Sequence, residues 1–241
     1  MVNVLLYLII FVIMSVIFIL IKSSKENEIN FLNEMIQRLP NLIFPILKGI
    51  PAILAIFFVF LTMPELNLFF ILIMGGLIFC LFGDLGIMKN LLLGLVLFLV
   101  AHILLVIAYS SQILTFGTQL LENGTMIVAG FLIVLMFLID LLFYRYLRGS
   151  EEPEILEKMR IPVIVYMALI SLHVVAASVF AYNLFLTSMV IIVIVIGSVF
   201  FFVSDALIAV HEFHHNLKYR EIIIMTTYYL AIFFISLITQ A

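Results

Sequence analysis

Asn67-Leu-Phe-Phe-Ile-Leu-Ile-Met-Gly-Gly-Leu-Ile-Phe-Cys-Leu-Phe-Gly-Asp-Leu-Gly-Ile-Met88 carries one charged side chain, Asp84, in an otherwise apolar run. A helix rises 1.5 Å per residue, so about 20 apolar residues cross the roughly 30 Å hydrocarbon core of a bilayer. The stretch therefore reads as a membrane span, and its aspartate is the anomaly. A second apolar stretch ends the same way: Gly197-Ser-Val-Phe-Phe-Phe-Val-Ser-Asp205 matches the spacing of Gly76-Leu-Ile-Phe-Cys-Leu-Phe-Gly-Asp84. A carboxyl at a helix centre costs roughly 2.5 to 3.5 kcal/mol on insertion scales, so membrane chains rarely keep one without a use. Asp84 and Asp205 are the leading candidates for a chemical centre.

The rest of the chain agrees with the span reading. It is 66% hydrophobic and 10% charged, whereas soluble domains carry about a quarter charged residues. Apolar runs broken by polar punctuation place spans near residues 2–21, 41–62, 67–88, 91–109, 125–143, 162–182, 185–208 and 221–239. The expected fold is all-α, a single polytopic membrane domain of eight helices over residues 1–241. No basic residue precedes the first span and no small-residue cleavage site follows it, so it is expected to stay as a helix. Cys80 is the only cysteine, which excludes an intramolecular disulfide and a multi-cysteine metal site. A nucleic-acid partner is not expected.

Basic residues order the connections. Lys22, Lys25 and Arg38 fall in the first, Lys89 in the third, Arg145, Arg148, Lys158 and Arg160 in the fifth, and Lys218 and Arg220 in the seventh. The even connections have none. The positive-inside rule then places the odd connections in the cytoplasm and both termini outside. With that orientation Lys48, Asp84, Tyr166 and Asp205 lie within about 6 to 10 Å of the cytoplasmic end. Asp140, His211, Tyr228 and Tyr229 fall in the same half. Polar groups distant in sequence thus converge on one layer, as a pocket open to the cytoplasmic leaflet requires.

The shared glycine-to-aspartate spacing also suggests an internal repeat, supported by Lys48-Gly-Ile-Pro51 against Arg160-Ile-Pro162. Partners four spans apart run in the same direction. Two parallel four-helix halves about an axis along the membrane normal would set Asp84 opposite Asp205.

Six segments, in order, carry a family likeness: Lys48 with Pro51; Gly83-Asp84 with Met88; Gly94, Phe98, Ala101-His102 and Tyr109; Pro162 with Tyr166; Ser204-Asp205 with Phe213; and Tyr228-Tyr229. In this the chain resembles the YhhN, or lysoplasmalogenase-like, membrane proteins. It departs from their pattern at Gly49, where they have a proline, at Ile208-Ala209, where they have Leu-Ala, and at Ile232, where they often have glutamine. The resemblance implies an eight-helix enzyme that cleaves the vinyl-ether bond of lysoplasmalogens to a fatty aldehyde and a glycerophospho head group. Its partners would be a lysophospholipid substrate and membrane lipid, with no cofactor and no metal.

Two aspartates suit that chemistry. A vinyl ether opens when its β-carbon is protonated, giving an oxocarbenium ion that water captures as a hemiacetal. Two neighbouring carboxyls in a dry site do not both ionise easily, so one serves as acid while the other stabilises the cation and steers water. Paired carboxyls divide the work in this way at glycosidic oxocarbenium centres. Lys48 reads either as an anchor for the substrate phosphate or as an ion-pair partner for an aspartate. His102 and Tyr109 share a helix face and would line the pocket, with Tyr166, Ser204, Tyr228 and Tyr229 beside the aspartates or head group. Asp140 reads as structural.

Two other classes compete. His211-Glu-Phe-His-His215 satisfies H-E-x-x-H, the pattern of a metal-dependent hydrolase with histidines four apart on a helix. A proton-coupled transporter would also keep carboxyls inside a repeated bundle, though carrier sites usually lie near the midplane.

Overall fold

A computed structural model of the chain describes residues 3–29, 33–40, 43–115, 124–150, 153–184 and 192–240. Its helices, in chain order, are α1 Val4–Lys25, α2 Asn33–Gln37, α3 Ile43–Thr62, α4 Leu68–Ile87, α5 Leu91–Thr115, α6 Thr125–Leu147, α7 Pro153–Lys158, α8 Arg160–Leu184, α9 Ile192–Phe213 and α10 Arg220–Ser236. A 3-10 turn over Leu237–Gln240 continues α10. All but the short α2 and α7 are long and apolar enough to cross a membrane. The protein is thus an all-helical, multi-pass membrane protein among its described residues.

Helices outlast the apolar runs that announce them. α1 continues to Lys25 rather than ending near residue 21, and Lys22 pairs with Glu26 one turn on. α5 reaches Thr115, α6 reaches Leu147 and α9 reaches Phe213. The reason is general: a polar side chain ends burial in lipid, but only a cap or a breaker ends a helix. Residues 185–191, where the seventh span was expected to begin, lie outside the described residues. Three starts are set by asparagine side chains that accept otherwise orphaned backbone N–H groups: Asn3 from Leu5 and Leu6, Asn67 from Phe70, and Asn90 from Leu92 and Leu93. At the start of α10 the Glu28 carboxylate, reaching in from the first connection, accepts the Glu221 N–H at 2.9 Å.

Six helices close a ring. α3, α4, α5, α8, α9 and α10 each pack on the next, and α10 returns to α3. α1 lies outside against α3 and α10, and α6 lies outside mainly against α8. Tyr7 bonds Ser236 at 2.7 Å and Thr62 bonds Thr239 at 2.6 Å at one end, so α10 runs opposite to α1 and parallel to α3, while the aspartates and their partners occupy the other half. Side chains of α6 such as Ile127, Phe131, Phe137 and Leu142 are mostly exposed, as expected of a surface facing lipid.

The glycines that pair in sequence also act alike in the fold. A Cβ on Gly76 would stand 2.9 Å from Leu105 of α5, and one on Gly197 would stand 3.0 Å from the backbone nitrogen of Ile235 on α10. Each glycine lets the following helix close against its own, the usual role of small residues where packing rather than the hydrophobic effect draws helices together. The close approach aligns α4 with α5 and α9 with α10, two turns away from each aspartate. Between these pairs the rings of Phe98, Phe201 and Tyr228 meet edge to face at 5.6 to 6.2 Å between centroids.

Candidate active site

The two aspartates are both buried, and each has its own partners. Around Asp84 on α4, Lys48 Nζ of α3 stands 3.3 Å from Oδ1 and the Tyr228 hydroxyl of α10 donates to Oδ2 at 2.8 Å. Both carboxyl oxygens are held. Pro51 removes the N–H that the Leu47 carbonyl would use in a regular helix, and one residue later the Lys48 carbonyl accepts the Tyr229 hydroxyl at 3.1 Å. Tyr229 therefore fixes the backbone that carries Lys48.

Around Asp205 on α9, both partners use a single oxygen. Tyr166 of α8 donates its hydroxyl to Oδ2 at 3.0 Å, and His102 Nε2 of α5 lies 2.9 Å from the same atom. Oδ1 has no hydrogen-bond partner among the described residues. Asp84 takes its groups from α3 and α10, and Asp205 takes its groups from α8 and α5. Exchanging α3 with α8, α4 with α9 and α5 with α10 carries one set onto the other.

Two cavities meet at Asp205. A polar one of about 230 Å³ is lined by Lys48, Asp84, Ser204, Asp205, Arg220 and Tyr228 among others. An apolar one of about 240 Å³ runs between α5, α8 and α9, past Leu95, Leu99, Tyr166 and Met167. They share Leu91, Asp205, Ile208 and Glu212. Leu92, Val96, Ile161 and Val165 line the apolar cavity while roughly half or more of each is exposed on the outer face. The apolar cavity is therefore a groove open on the lipid-facing flank between α5 and α8, with a carboxyl at its inner end.

The sequence candidates separate accordingly. Lys48, Asp84, Ser204, Asp205 and Tyr228 line the polar cavity, and Tyr166 lines the groove. His102 sits behind Asp205, fully buried and lining neither. Tyr229 also lines neither, because it faces Phe11 and Phe18 of α1. Tyr109, expected to line the pocket with His102, lies two turns deeper, where its ring stacks on His173 and Phe180. Its hydroxyl is buried with no partner among the described residues. A buried hydroxyl without a bond costs about 1 to 3 kcal/mol, so Tyr109→Phe is expected to raise the thermal unfolding midpoint in detergent by about 2 to 4 °C or more. Differential scanning fluorimetry checks this, and a lowered midpoint would mean that the hydroxyl is satisfied.

Three groups escaped the sequence reading. Arg220 was counted only as a topology signal, yet it lines the polar cavity and lies 2.7 Å from His211 Nε2. Glu212 was read only as the glutamate of H-E-x-x-H, yet it belongs to both cavities. His173 of α8 is fully buried against His102. Its signal was present, since an ionisable residue in the middle of a span is a site candidate by itself. Asp140 on α6 accepts the Ser171 hydroxyl at 2.8 Å and joins neither cavity.

The H-E-x-x-H pattern does not form its helical face. α9 ends at Phe213, so His215 is off the helix that carries His211. His211 Nδ1 accepts the Leu217 N–H at 3.2 Å, and its Nε2 faces Arg220. Metal binding needs one of those nitrogens free.

In comparisons with known proteins, the model of the YhhN family matches residues 43–239, which takes in α3 through the final turn. No curated protein and no solved structure matches the chain.

Proposed function

The chain belongs to the YhhN family, and from that membership together with two carboxyls on one cavity we propose that it is an intramembrane hydrolase of lysoplasmalogen-type lipids. The observation that carries the proposal is the place of Asp205. One carboxyl oxygen is free where an apolar groove, open to lipid, meets a polar cavity holding cationic side chains. A single-chain ether phospholipid has the same division, with its reactive bond between chain and head group. The hydrocarbon chain lies in the groove, the phosphate lies toward Lys48 and Arg220, and the vinyl ether comes to Asp205.

The two oxygen patterns assign the roles. Asp205 holds Tyr166 and His102 on Oδ2, leaving Oδ1 to carry the acid proton into the cavity. It gives that proton to the β-carbon, the double bond's electrons form the new C–H bond, and the α-carbon becomes an oxocarbenium ion. Asp84, kept anionic by Lys48 and Tyr228, opposes the growing positive charge. Water then adds to the α-carbon and returns a proton to Asp205. Collapse of the hemiacetal moves the hydroxyl proton to the ether oxygen, which leaves as the glycerol hydroxyl while the chain leaves as an aldehyde.

The same reading extends to topology. The basic connections support a cytoplasmic site with both termini outside, and the exchange of partners between Asp84 and Asp205 supports two parallel halves. The test is aldehyde release by purified protein in detergent from a lysoplasmalogen, run beside the alkyl-ether analogue. Hydrolysis of the vinyl ether alone is expected, because an alkyl ether has no double bond to accept the proton. Folded protein that releases no aldehyde would overturn the proposal, and carboxyl-dependent proton uptake into vesicles would then favour a carrier.

A further inference from the structure

Behind Asp205 the hydrogen bonding continues inward. His102 Nε2 meets Asp205 Oδ2 at 2.9 Å, and its Nδ1 meets His173 Nδ1 at 2.9 Å. Both imidazoles are fully buried, packed against Tyr109 and Phe201, and His173 Nε2 has no partner among the described residues. The mechanism above uses no group beyond His102, so the second imidazole is unexplained.

Counting protons explains it. A contact between two ring nitrogens holds one proton, because two bare nitrogens repel and two N–H groups clash. Asp205 Oδ2 already accepts from Tyr166, so the complementary arrangement is a His102 Nε2–H donating to it. Neutral His102 then has a bare Nδ1, which accepts from His173 Nδ1–H. His173 is left with a bare Nε2. If the Nδ1 proton sat on His102 instead, His173 would carry its own proton on Nε2, an orphaned buried donor. Unpaired buried acceptors are tolerated more often than unpaired N–H groups. The unpartnered atom thus selects one tautomer for each ring.

We propose that His173 is a positioning residue that fixes His102 in the tautomer donating to Asp205. Resting on the hydrolase reading, this means that His173 keeps Oδ2 engaged and so leaves Oδ1 as the face of Asp205 that holds the acid proton. His102 without His173 has a bare buried nitrogen and is free to move its proton to Nδ1, which removes the donor from Asp205. The arrangement has the logic of a buried acid that orients a catalytic histidine, here with the order of the groups reversed.

Two variants test it. Asparagine can place an amide N–H near the position of Nδ1, whereas leucine keeps bulk and offers no donor. His173→Leu is expected to lower kcat on the vinyl-ether lipid by about 10- to 100-fold with KM within about twofold, and His173→Asn to stay within about threefold of the native protein. Nitrogen-15 NMR of histidine-labelled protein without substrate supplies a second readout, since a protonated ring nitrogen and a bare one resonate far apart. The His102 signals, assigned with His102→Gln, are expected to change tautomer in His173→Leu and not in His173→Asn. An unchanged His102 tautomer in folded His173→Leu, or native turnover by that variant, would overturn the assignment. If the native protein cleaves no ether lipid while the tautomer still changes, the positioning role stands and the hydrolase reading fails.

Discussion

Asp205→Asn is expected to lower aldehyde release by roughly 10³-fold, within the 10² to 10⁴ that a positioned acid contributes, while leaving the fold nearly intact. The two halves of that expectation have separate causes. An asparagine fills the same volume, and its carbonyl oxygen accepts from Tyr166 and His102 as Oδ2 does now. Its amide, however, does not protonate carbon. No lysine or arginine pairs with Asp205 among the described residues, so replacing the acid with an amide strands no charge. Steady-state turnover and the unfolding midpoint, measured on the same preparation, check both halves. Turnover within tenfold of native would remove Asp205 as the acid. Collapse of the midpoint would make it a structural residue instead.

How much of this was legible in the sequence depended on whether a feature was local. Spans are local: a run such as Leu68 to Gly83 has one solution in lipid. Convergence was partly legible too, because positive-inside asymmetry gives each residue a depth, and Lys48, Asp84, Asp205 and Tyr228 do share a cavity. Depth gives no azimuth, though. His102 and Tyr109 share a helix face, yet two turns along it separate a residue bonded to Asp205 from one stacked in the core. Tyr228 and Tyr229 are neighbours in sequence, about 100° apart around α10, the first on Asp84 and the second on the backbone of α3. The sorting of the two aspartates by free and engaged oxygens lay beyond the sequence, since it depends on which helices are neighbours in the ring. The H-E-x-x-H pattern failed for a complementary reason, because the spacing has meaning only on a continuous helix and α9 stops inside it.

Lys48→Met is expected to cost about 3 to 5 kcal/mol, the usual result of breaking a buried ion pair from one side, and so to lower the unfolding midpoint by about 6 to 20 °C. The lysine is 8% exposed and Asp84 1%, so neither charge is compensated by water. Methionine replaces the stem of the lysine and leaves Asp84 Oδ1 without a partner, with only Tyr228 on Oδ2. Most of the loss is thus the stranded carboxylate rather than the worth of the pair. The double variant Lys48→Met with Asp84→Leu removes both charges and is expected to recover most of the midpoint, a non-additivity that the two single variants frame as a cycle. A Lys48→Met protein as stable as the native one would mean that Asp84 is protonated without its lysine, and the fixed-anion role would fail. The double variant also separates the two readings of Lys48. A non-hydrolysable alkyl-ether lysophospholipid should bind it several-fold more weakly if the ammonium anchors the phosphate, and equally well if Lys48 serves only Asp84. With Arg220 on the same cavity a partial loss is expected, because two cations share the phosphate and only one is removed.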